Sequence, residues 1–204
     1  MYSRPDQRSF AVPKRVLILN AHPDAAQPHF LHALADAYAE GATASGCEVR
    51  RIDLARLDFA WLKSQDEFEH GAVAPVIRAA QEDLLWAEHL VILHPLWLGM
   101  MPALLKAFLE QVLRPGFAHR VDGPRPMALL KGRSARIVIT MGMPAPAYRW
   151  WFGAHGLKAM ERSILRFCGI RPVRNTLVGM VESMSVERRA QWLAELRELG
   201  RRAA

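Results

Sequence analysis

The stretch that decides the fold is "RVLILNAHPDAAQPHF", residues 15–30. Its first five residues are mostly branched and apolar, which is typical of a strand buried on both faces. A polar loop follows, and apolar residues then recur at helical spacing from Phe30. The N-terminus of such a helix would face the loop and attract an anion. The stretch therefore predicts a phosphate site, with His22, Gln27 and His29 as side-chain donors.

The same order of elements continues along the chain. Further strands are predicted at 48–54, 89–93, 136–140 and 173–179, and further helices at 76–87, 102–113, within 155–167 and after Ser185. Five strands alternating with helices indicate an α/β protein with a parallel sheet covered on both faces. In the strand order 2-1-3-4-5, ligands bind beyond the carboxyl ends of the strands, where the order reverses. The loops after the first, third and fourth strands are therefore expected to form the site.

Composition limits the class of protein. The 204 residues suffice for one domain, which we expect over 15–204 after a flexible arm at 1–14. A net charge of +7 favours anionic ligands, but the basic residues are scattered and do not predict nucleic-acid binding. No apolar run reaches the roughly 20 residues that span a bilayer, so we expect no stable membrane insertion. Cys47 and Cys168 lack metal-site spacing and favour core packing in a reducing compartment, the cytoplasm.

The third strand leads into "HPLWLGMMPALLKAFLEQV", residues 94–112. Its prolines and large apolar side chains would form a rigid wall that suits a flat heteroaromatic ring. The alternative is that Trp97, Leu98 and Met100 only fill the core, since apolar side chains are usually inside.

The fourth strand leads into "TMGMPAPAYRWWFGAHG", residues 140–156. Thr140 and Gly142 begin a rigid turn with accessible backbone groups. Tyr148 and His155 could donate protons or stabilise developing negative charge, although a purely structural role is the common case for either residue type.

Together these motifs resemble the NAD(P)H:quinone oxidoreductases, flavodoxin-like flavoproteins that include DT-diaphorase and the ancillary reductases of bacterial potassium efflux systems. The resemblance runs from about residue 15 to 179. Its most specific part is the pattern P-L-x-x-x-x-x-P-A-x-L-K-x-x-x-E over 95–110, followed by "GFA" at 116–118.

The resemblance implies a flavodoxin-like three-layer sandwich that binds FAD or FMN. It places three groups of residues on the flavin: His22, Gln27, His29 and Phe30 at the phosphates and ribityl chain; Pro95, Leu96, Trp97 and Leu98 along the isoalloxazine ring; and Thr140, Met141 and Gly142 at its polar edge. Glu110 stands where the FAD-binding branch has a Glu, which favours FAD. Tyr148 and His155 match residues that assist hydride transfer.

The implied reaction is a two-electron transfer from NADH or NADPH through the flavin to a quinone, by a ping-pong mechanism. The resemblance also implies a homodimer with its sites at the interface, and the cluster of Trp150, Trp151 and Phe152 is expected to pack against the partner. If it does not, these aromatics would fold back over the flavin of their own subunit.

Two other functions remain open from the sequence. "AHPD" at 21–24 also opens zinc-dependent N-deacetylases, although Ala25 stands where a ligand would be expected and no metal ligands are assigned here. The second alternative is a flavodoxin-type electron carrier without its own NAD(P)H oxidation.

Overall fold

The computed structural model describes residues 14–120 and 126–203. All but the last residue of the predicted arm at 1–14 therefore lies outside the described residues.

The described part of the chain contains a five-stranded sheet, a two-stranded hairpin and helices that connect the strands. The strands are β1 (Arg15–Asn20), β2 (Glu48–Asp53), β3 (His89–Pro95), β4 (His119–Arg120), β5 (Met127–Ala128), β6 (Ser134–Thr140) and β7 (Val173–Val178). The helices are α1 (Phe30–Ala44), α2 (Gln65–His70), α3 (Pro75–Trp86), α4 (Ala103–Val112), α5 (His155–Lys158) and α6 (Val186–Arg201). A π-helical turn covers Ala147–Trp151, and a second one, Ala159–Leu165, continues α5.

The large sheet has the order β2-β1-β3-β6-β7, and every neighbouring pair is parallel. The predicted order 2-1-3-4-5 is confirmed, because β6 and β7 are the fourth and fifth strands of this sheet. The strand order reverses between β1 and β3, because β2 lies on one side of β1 and all later strands of this sheet lie on the other. The adjacent strands β3 and β6 end side by side, with Pro95 paired to Thr140.

Alternate residues of the central strands point to opposite faces of the sheet and pack into two separate core layers. On one face, residues such as Leu19, Ile92 and Ile137 pack with α3 and α4. On the other face, residues such as Ile18 and Val138 pack with α1 and α6. Burying each such side chain contributes about 1.5–3 kcal/mol, so the uninterrupted apolar strands hold the sheet between its two helical layers.

Several boundaries differ from the sequence-based predictions. The sequence predicts no strand or helix within 55–75 or 117–135, but α2 lies in the first of these ranges and the β4–β5 hairpin in the second. Both elements are short and have little periodicity to reveal them. The prediction that Ser185 caps the last helix is confirmed, since its hydroxyl accepts the backbone N–H of Arg188 at 3.3 Å.

Candidate functional site

The loops that follow β1, β3 and β6 lie at one edge of the sheet, as predicted. Backbone hydrogen bonds join them just beyond the strand ends. The N–H of Ala21 donates to the carbonyl of Leu93 at 2.8 Å, and the N–H of Leu96 donates to the carbonyl of Thr140 at 2.8 Å. The positions of these three loops are therefore set by the sheet itself.

The first loop ends at the N-terminus of α1. His29 is the N-cap residue in an extended conformation, and its side chain makes no capping hydrogen bond. The first turn of the helix carries no acidic residue. No side chain of the helix or its N-cap satisfies the first N–H groups of this 15-residue helix, so its partial positive charge favours an anion.

Three histidines cluster beside this helix end. The rings of His22 and His29 stack with centroids 3.7 Å apart, and the ring of His32 lies 5.3 Å from that of His22. Asp24 accepts a hydrogen bond from Nε2 of His29 at 2.8 Å, which lowers the pKa of its carboxyl group. The structure thus brings the predicted donors His22 and His29 together and fixes the orientation of one through Asp24.

His22 is held in its neutral form. Burial, and then the positive charge of His29, lower the pKa of His22 below its ordinary value. Its Nδ1 lies 3.2 Å from the backbone N and 3.3 Å from the backbone O of Asp24, so each tautomer of the neutral ring can make one of these two contacts. The tautomer with its proton on Nε2 is the one that could donate to the predicted phosphate.

A second polar network joins the ends of β1 and β2, and the sequence analysis missed it. The side-chain amide of the buried Asn20 donates to Asp53 at 2.7 Å and to Nδ1 of His32 at 2.7 Å. Burial raises the pKa of Asp53, but the hydrogen bonds from Asn20 and Arg51 outweigh this and lower it. The signal in the sequence was that Asn20 and Asp53 each end a neighbouring strand.

A cavity of about 280 Å³ opens between these two strand ends. It is lined by Asn20, His22, Ala25, Ala26, Gln27, Pro28, His32, Arg51, Asp53, Ala55 and Arg56. The cavity contains the predicted residues His22 and Gln27 and adds Arg56, which the sequence analysis did not single out. Its size is near the lower end of small-molecule sites.

The loop after β3 forms an exposed apolar turn. Trp97 and Met100 are joined by reciprocal backbone hydrogen bonds of 3.0 and 2.9 Å, and Leu98 and Gly99 between them have positive φ angles of 48° and 76°. The side chains of Trp97, Leu98 and Met100 are exposed, so the alternative that they fill the core is wrong. Pro95 is buried and Leu96 half-buried at the base of the turn.

This apolar turn lies next to the histidine cluster. The ring of Trp97 contacts that of His22 edge-on, with centroids 6.5 Å apart. The wall predicted for a flat ring thus adjoins the helix end predicted for a phosphate, although the turn does not line the cavity itself.

The residues at the end of β6 have fewer free backbone N–H and C=O groups for a ligand than predicted. The carbonyl of Thr140 accepts from Leu96, and the N–H of Met141 donates to Val178 at 2.9 Å. Both are committed to holding the sheet edge together, and Met141 is buried. Gly142, by contrast, is exposed at the rim.

The two predicted catalytic residues have opposite surroundings. Tyr148 is 1% exposed, its hydroxyl accepts the backbone N–H of Leu157 at 3.1 Å, and burial raises its pKa. His155 is exposed at the first position of α5. Tyr148 therefore fixes the fold of the segment that carries His155, and its hydroxyl proton remains available for a second hydrogen bond.

Glu110 lies away from the other predicted residues. It pairs with Lys106 on the exposed side of α4 and lines a groove with Leu62, Gln65 and Phe68 rather than the cavity at the end of β1. Within one chain, the structure does not bring Glu110 to the predicted flavin phosphate site.

The aromatic cluster predicted at the surface is confirmed as exposed. Trp150 and Trp151 are 78% and 86% exposed, and Phe152 is also exposed. The first two lie in the π-helical turn Ala147–Trp151, not in an irregular loop as expected.

The zinc alternative finds no support in the geometry. Within residues 14–120 and 126–203, no group of three or more His, Cys, Asp or Glu side chains is arranged to hold a metal ion. The carboxylate of Asp24 instead binds His29.

Among the helices of the described ranges, none is both long and apolar enough to cross a membrane.

The fold and this edge define an α/β protein with a doubly wound parallel sheet, in which an anion-attracting helix end lies beside an apolar turn. The chain belongs to the family described as having a flavodoxin-like fold, whose model matches residues 14–199. The predicted fold class is thereby confirmed.

The chain is also similar to individual proteins of this kind in sequence and in structure. The chain is 28% identical to an uncharacterized NAD(P)H oxidoreductase of Haemophilus influenzae, over 80% of this chain and 82% of the relative. It is 27% identical to NAD(P)H dehydrogenase [quinone] 1 of Rattus norvegicus, over 88% of this chain and 74% of the relative. In structure it resembles an FMN-dependent NADH-azoreductase of Bacillus anthracis in complex with FMN, with a TM-score of 0.72, 17% identity and 94% and 99% of the two chains covered. The resemblance to NAD(P)H:quinone oxidoreductases is confirmed.

Proposed function

We propose that the protein is a flavin-dependent NAD(P)H:quinone oxidoreductase. The observation that carries the proposal is the exposed apolar turn Trp97–Met100, which adjoins the uncapped N-terminus of α1 at the reversal of strand order. The names of the relatives from Haemophilus influenzae and Rattus norvegicus support the donor and the acceptor class.

The residues at this edge fit a flavin. The first-turn amides of α1 and the Nε2 proton of neutral His22 would hold its phosphate, with Gln27 as a further donor. Trp97 and Leu98 would lie along its ring system. When bound, the flavin supplies the two-electron hydride chemistry, and the protein supplies binding, orientation and electrostatics.

The proposed reaction uses the apolar turn for one flat substrate at a time. NADH or NADPH would bind against the exposed side of this site, leave, and be replaced by the quinone, which is a ping-pong order. Gly142 at the rim could donate its N–H to charge that develops in the reaction, and so could the hydroxyl of Tyr148 or the ring of His155. Tyr148 would also position His155, because it binds the backbone of the segment 148–157.

FMN and FAD both remain compatible with this edge. The related azoreductase structure contains FMN. Glu110 favours FAD by resemblance, yet it lies on another side of the chain, so it could reach a flavin only in a second subunit.

We infer a homodimer from this position of Glu110 and from the exposed aromatic cluster. Trp150, Trp151 and Phe152 give an apolar patch of the kind that fills protein interfaces. Light scattering at micromolar concentration should give twice the monomer mass. A monomer with bound flavin and full activity would contradict this inference.

We also propose a cytoplasmic location. Both cysteines are free, Cys47 half-buried and Cys168 buried, which suits a reducing compartment.

Flavin binding is tested by a charge reversal at the helix end. The purified protein should show flavin absorbance, and the released flavin can be identified by chromatography. His29→Glu should weaken flavin binding at least tenfold, because it sets a carboxylate against the phosphate and abolishes the pair with Asp24. His70→Glu on the exposed end of α2 is the matched control, and its affinity should match that of the wild type. Equal affinity in the His29 variant would remove the phosphate assignment.

Catalysis is tested by stopped-flow reduction of the bound flavin by NADH and NADPH. Tyr148→Phe and His155→Ala should each slow this step by about 10²-fold, the usual cost of a lost hydrogen bond to developing charge. Reduction at wild-type speed in both variants would show that neither residue acts in catalysis. Absence of any NAD(P)H oxidation by the wild-type protein would leave the electron-carrier function.

A further inference from the structure

A second polar cavity lies at the opposite edge of the sheet, where the strands begin. Its volume is about 320 Å³. It is lined by Lys14, His89, Ser134, Ala135, Pro172, Arg174, Arg202 and Ala203. These residues precede or begin β1, β3, β6 and β7 or follow α6, so the cavity is separate from the proposed flavin site.

The ionisable side chains that line this cavity are all basic or histidine. Arg202 is neutralised by an ion pair with Glu198 at 2.8 Å, and Lys14 donates to the backbone carbonyl of Ala203 at 2.6 Å. The positive charges of Lys14 and Arg174 have no carboxylate partner within residues 14–120 and 126–203. The cavity therefore concentrates positive charge.

His89 and Ser134 form a neutral hydrogen-bonding pair in the wall of this cavity. His89 is 2% exposed, and its Nδ1 forms a hydrogen bond of 2.7 Å with the hydroxyl of Ser134. The His89 ring stacks with that of Tyr38, with centroids 6.4 Å apart, so its inner side faces the protein interior. Ser134 is half-buried and is the member of the pair that a ligand in the cavity would reach first.

The electrostatic surroundings of His89 agree with this picture. Burial first, and then the positive charges of Lys14, Arg136 and Arg174, lower the pKa of His89 to about 3. No carboxylate contributes to the shift. The local field is thus positive and would be relieved by an anion.

We propose that this cavity binds a small anion that carries a phosphate group. Arg174 and Lys14 would supply the charge, and Ser134 and His89 would supply neutral hydrogen-bond groups. Guanidinium and ammonium groups bind phosphate through strong charge-assisted hydrogen bonds. The volume is near the lower limit of metabolite sites, which suits inorganic phosphate or a small phosphate ester rather than a nucleotide.

The test is calorimetric titration of the full chain with inorganic phosphate and, separately, with glycerol 3-phosphate at constant ionic strength. Arg174→Gln should weaken binding about tenfold or more, the usual effect of a lost charge-assisted hydrogen bond. Arg78→Gln makes the same charge change at an exposed position of α3 and should leave the affinity unchanged. Tighter binding of the ester than of phosphate would identify an organic phosphate as the ligand, and equal binding would identify the free ion.

His29→Glu separates this cavity from the proposed flavin phosphate site, because it alters only the latter. The proposal is overturned if phosphate fails to bind saturably, or if binding is lost in the His29 variant and kept in Arg174→Gln. Imidazole NMR gives a second readout: the His89 resonances, assigned by their loss in His89→Gln, should shift and saturate with the calorimetric affinity. Resonances that stay fixed at saturating phosphate would also overturn the proposal.

Discussion

The substitution Gly156→Ala adds one methyl group, which should push the segment after β6 away from the turn Trp97–Met100 beside the proposed flavin ring. Gly156 is the second residue of α5, and a Cβ atom there would lie 2.4 Å from the carbonyl oxygen of Gly99 and 3.0 Å from Cα of Met100. Ordinary contact begins at 3.4 Å, so the backbones must move apart by about 1 Å (3.4 minus 2.4). Both neighbours belong to backbone that no rotamer change can remove.

The magnitude follows from two opposing effects. Overpacking of this kind costs about 1–3 kcal/mol. Alanine in place of glycine within a helix returns about 0.5–1 kcal/mol. We therefore expect Gly156→Ala to lower the free energy of unfolding by roughly 0.5–2 kcal/mol. A shift of about 1 Å in the turn Trp97–Met100 should slow reduction of the flavin by about 10²-fold, a typical cost of such misplacement.

Urea denaturation measures the first effect, and stopped-flow reduction with flavin fluorescence titration measures the second. Gly46→Ala is the matched control, because Gly46 has a φ of +85° and a Cβ there would meet nothing within 4 Å. It should cost about 1–2 kcal/mol through backbone strain alone and leave flavin reduction unchanged. If Gly156→Ala behaves like the wild type in both assays, the two loops do not meet as closely as the structure shows.

Three further predictions concern stability. Burial lowers the pKa of His94 from 6.5 to about 4, so the unfolded chain takes up a proton before the folded chain does, and the free energy of unfolding should fall as the pH drops from about 6.5 to 4. In urea denaturation, His94→Phe should flatten that pH slope by up to about 1.4 kcal/mol per pH unit, and an unchanged slope would contradict the assignment. Asp53→Ala should lower the free energy of unfolding by about 1–3 kcal/mol, because it removes an acceptor of the buried Asn20 amide, and no change in the urea midpoint would show that this network is not formed. Ser185→Ala should cost about 1 kcal/mol by removing the cap of α6 without affecting flavin affinity, and an unaltered thermal midpoint would speak against the cap.

The strand order and the edge that carries the site could be predicted because they depend on patterns within single segments. The buried strands are continuous apolar runs, and their alternation with helices leaves few topologies to choose from. The position of His29 before the first helix likewise follows from the sequence alone. By contrast, the network of Asn20, Asp53 and His32 depends on the pairing of β1 with β2, which no local pattern reveals.

The direction of individual side chains was less predictable for a physical reason. Tyr148 and His155 are both polar aromatic residues in one segment, yet the first is buried by the π-helical turn and the second is exposed. Such turns insert a residue into the helical period and alter which side chains face inward. The distance of Glu110 from the other predicted residues within one chain has a different reason, because resemblance assigns a residue to a flavin without stating which subunit holds that flavin.

The turn after β3 gives the strongest argument that something covers this edge in the working protein. Leu98 has a φ of 48°, a conformation that costs a residue with a Cβ atom about 1–2 kcal/mol. Its side chain is 104% exposed, so it gains nothing from burial in the isolated chain. Covering a leucine fully is worth about 1.5–3 kcal/mol, which is enough to offset the strain. A flat ligand or a second subunit packed on Leu98, as the proposed function would provide, is therefore sufficient to offset the strain, and strained residues of this kind cluster at functional sites.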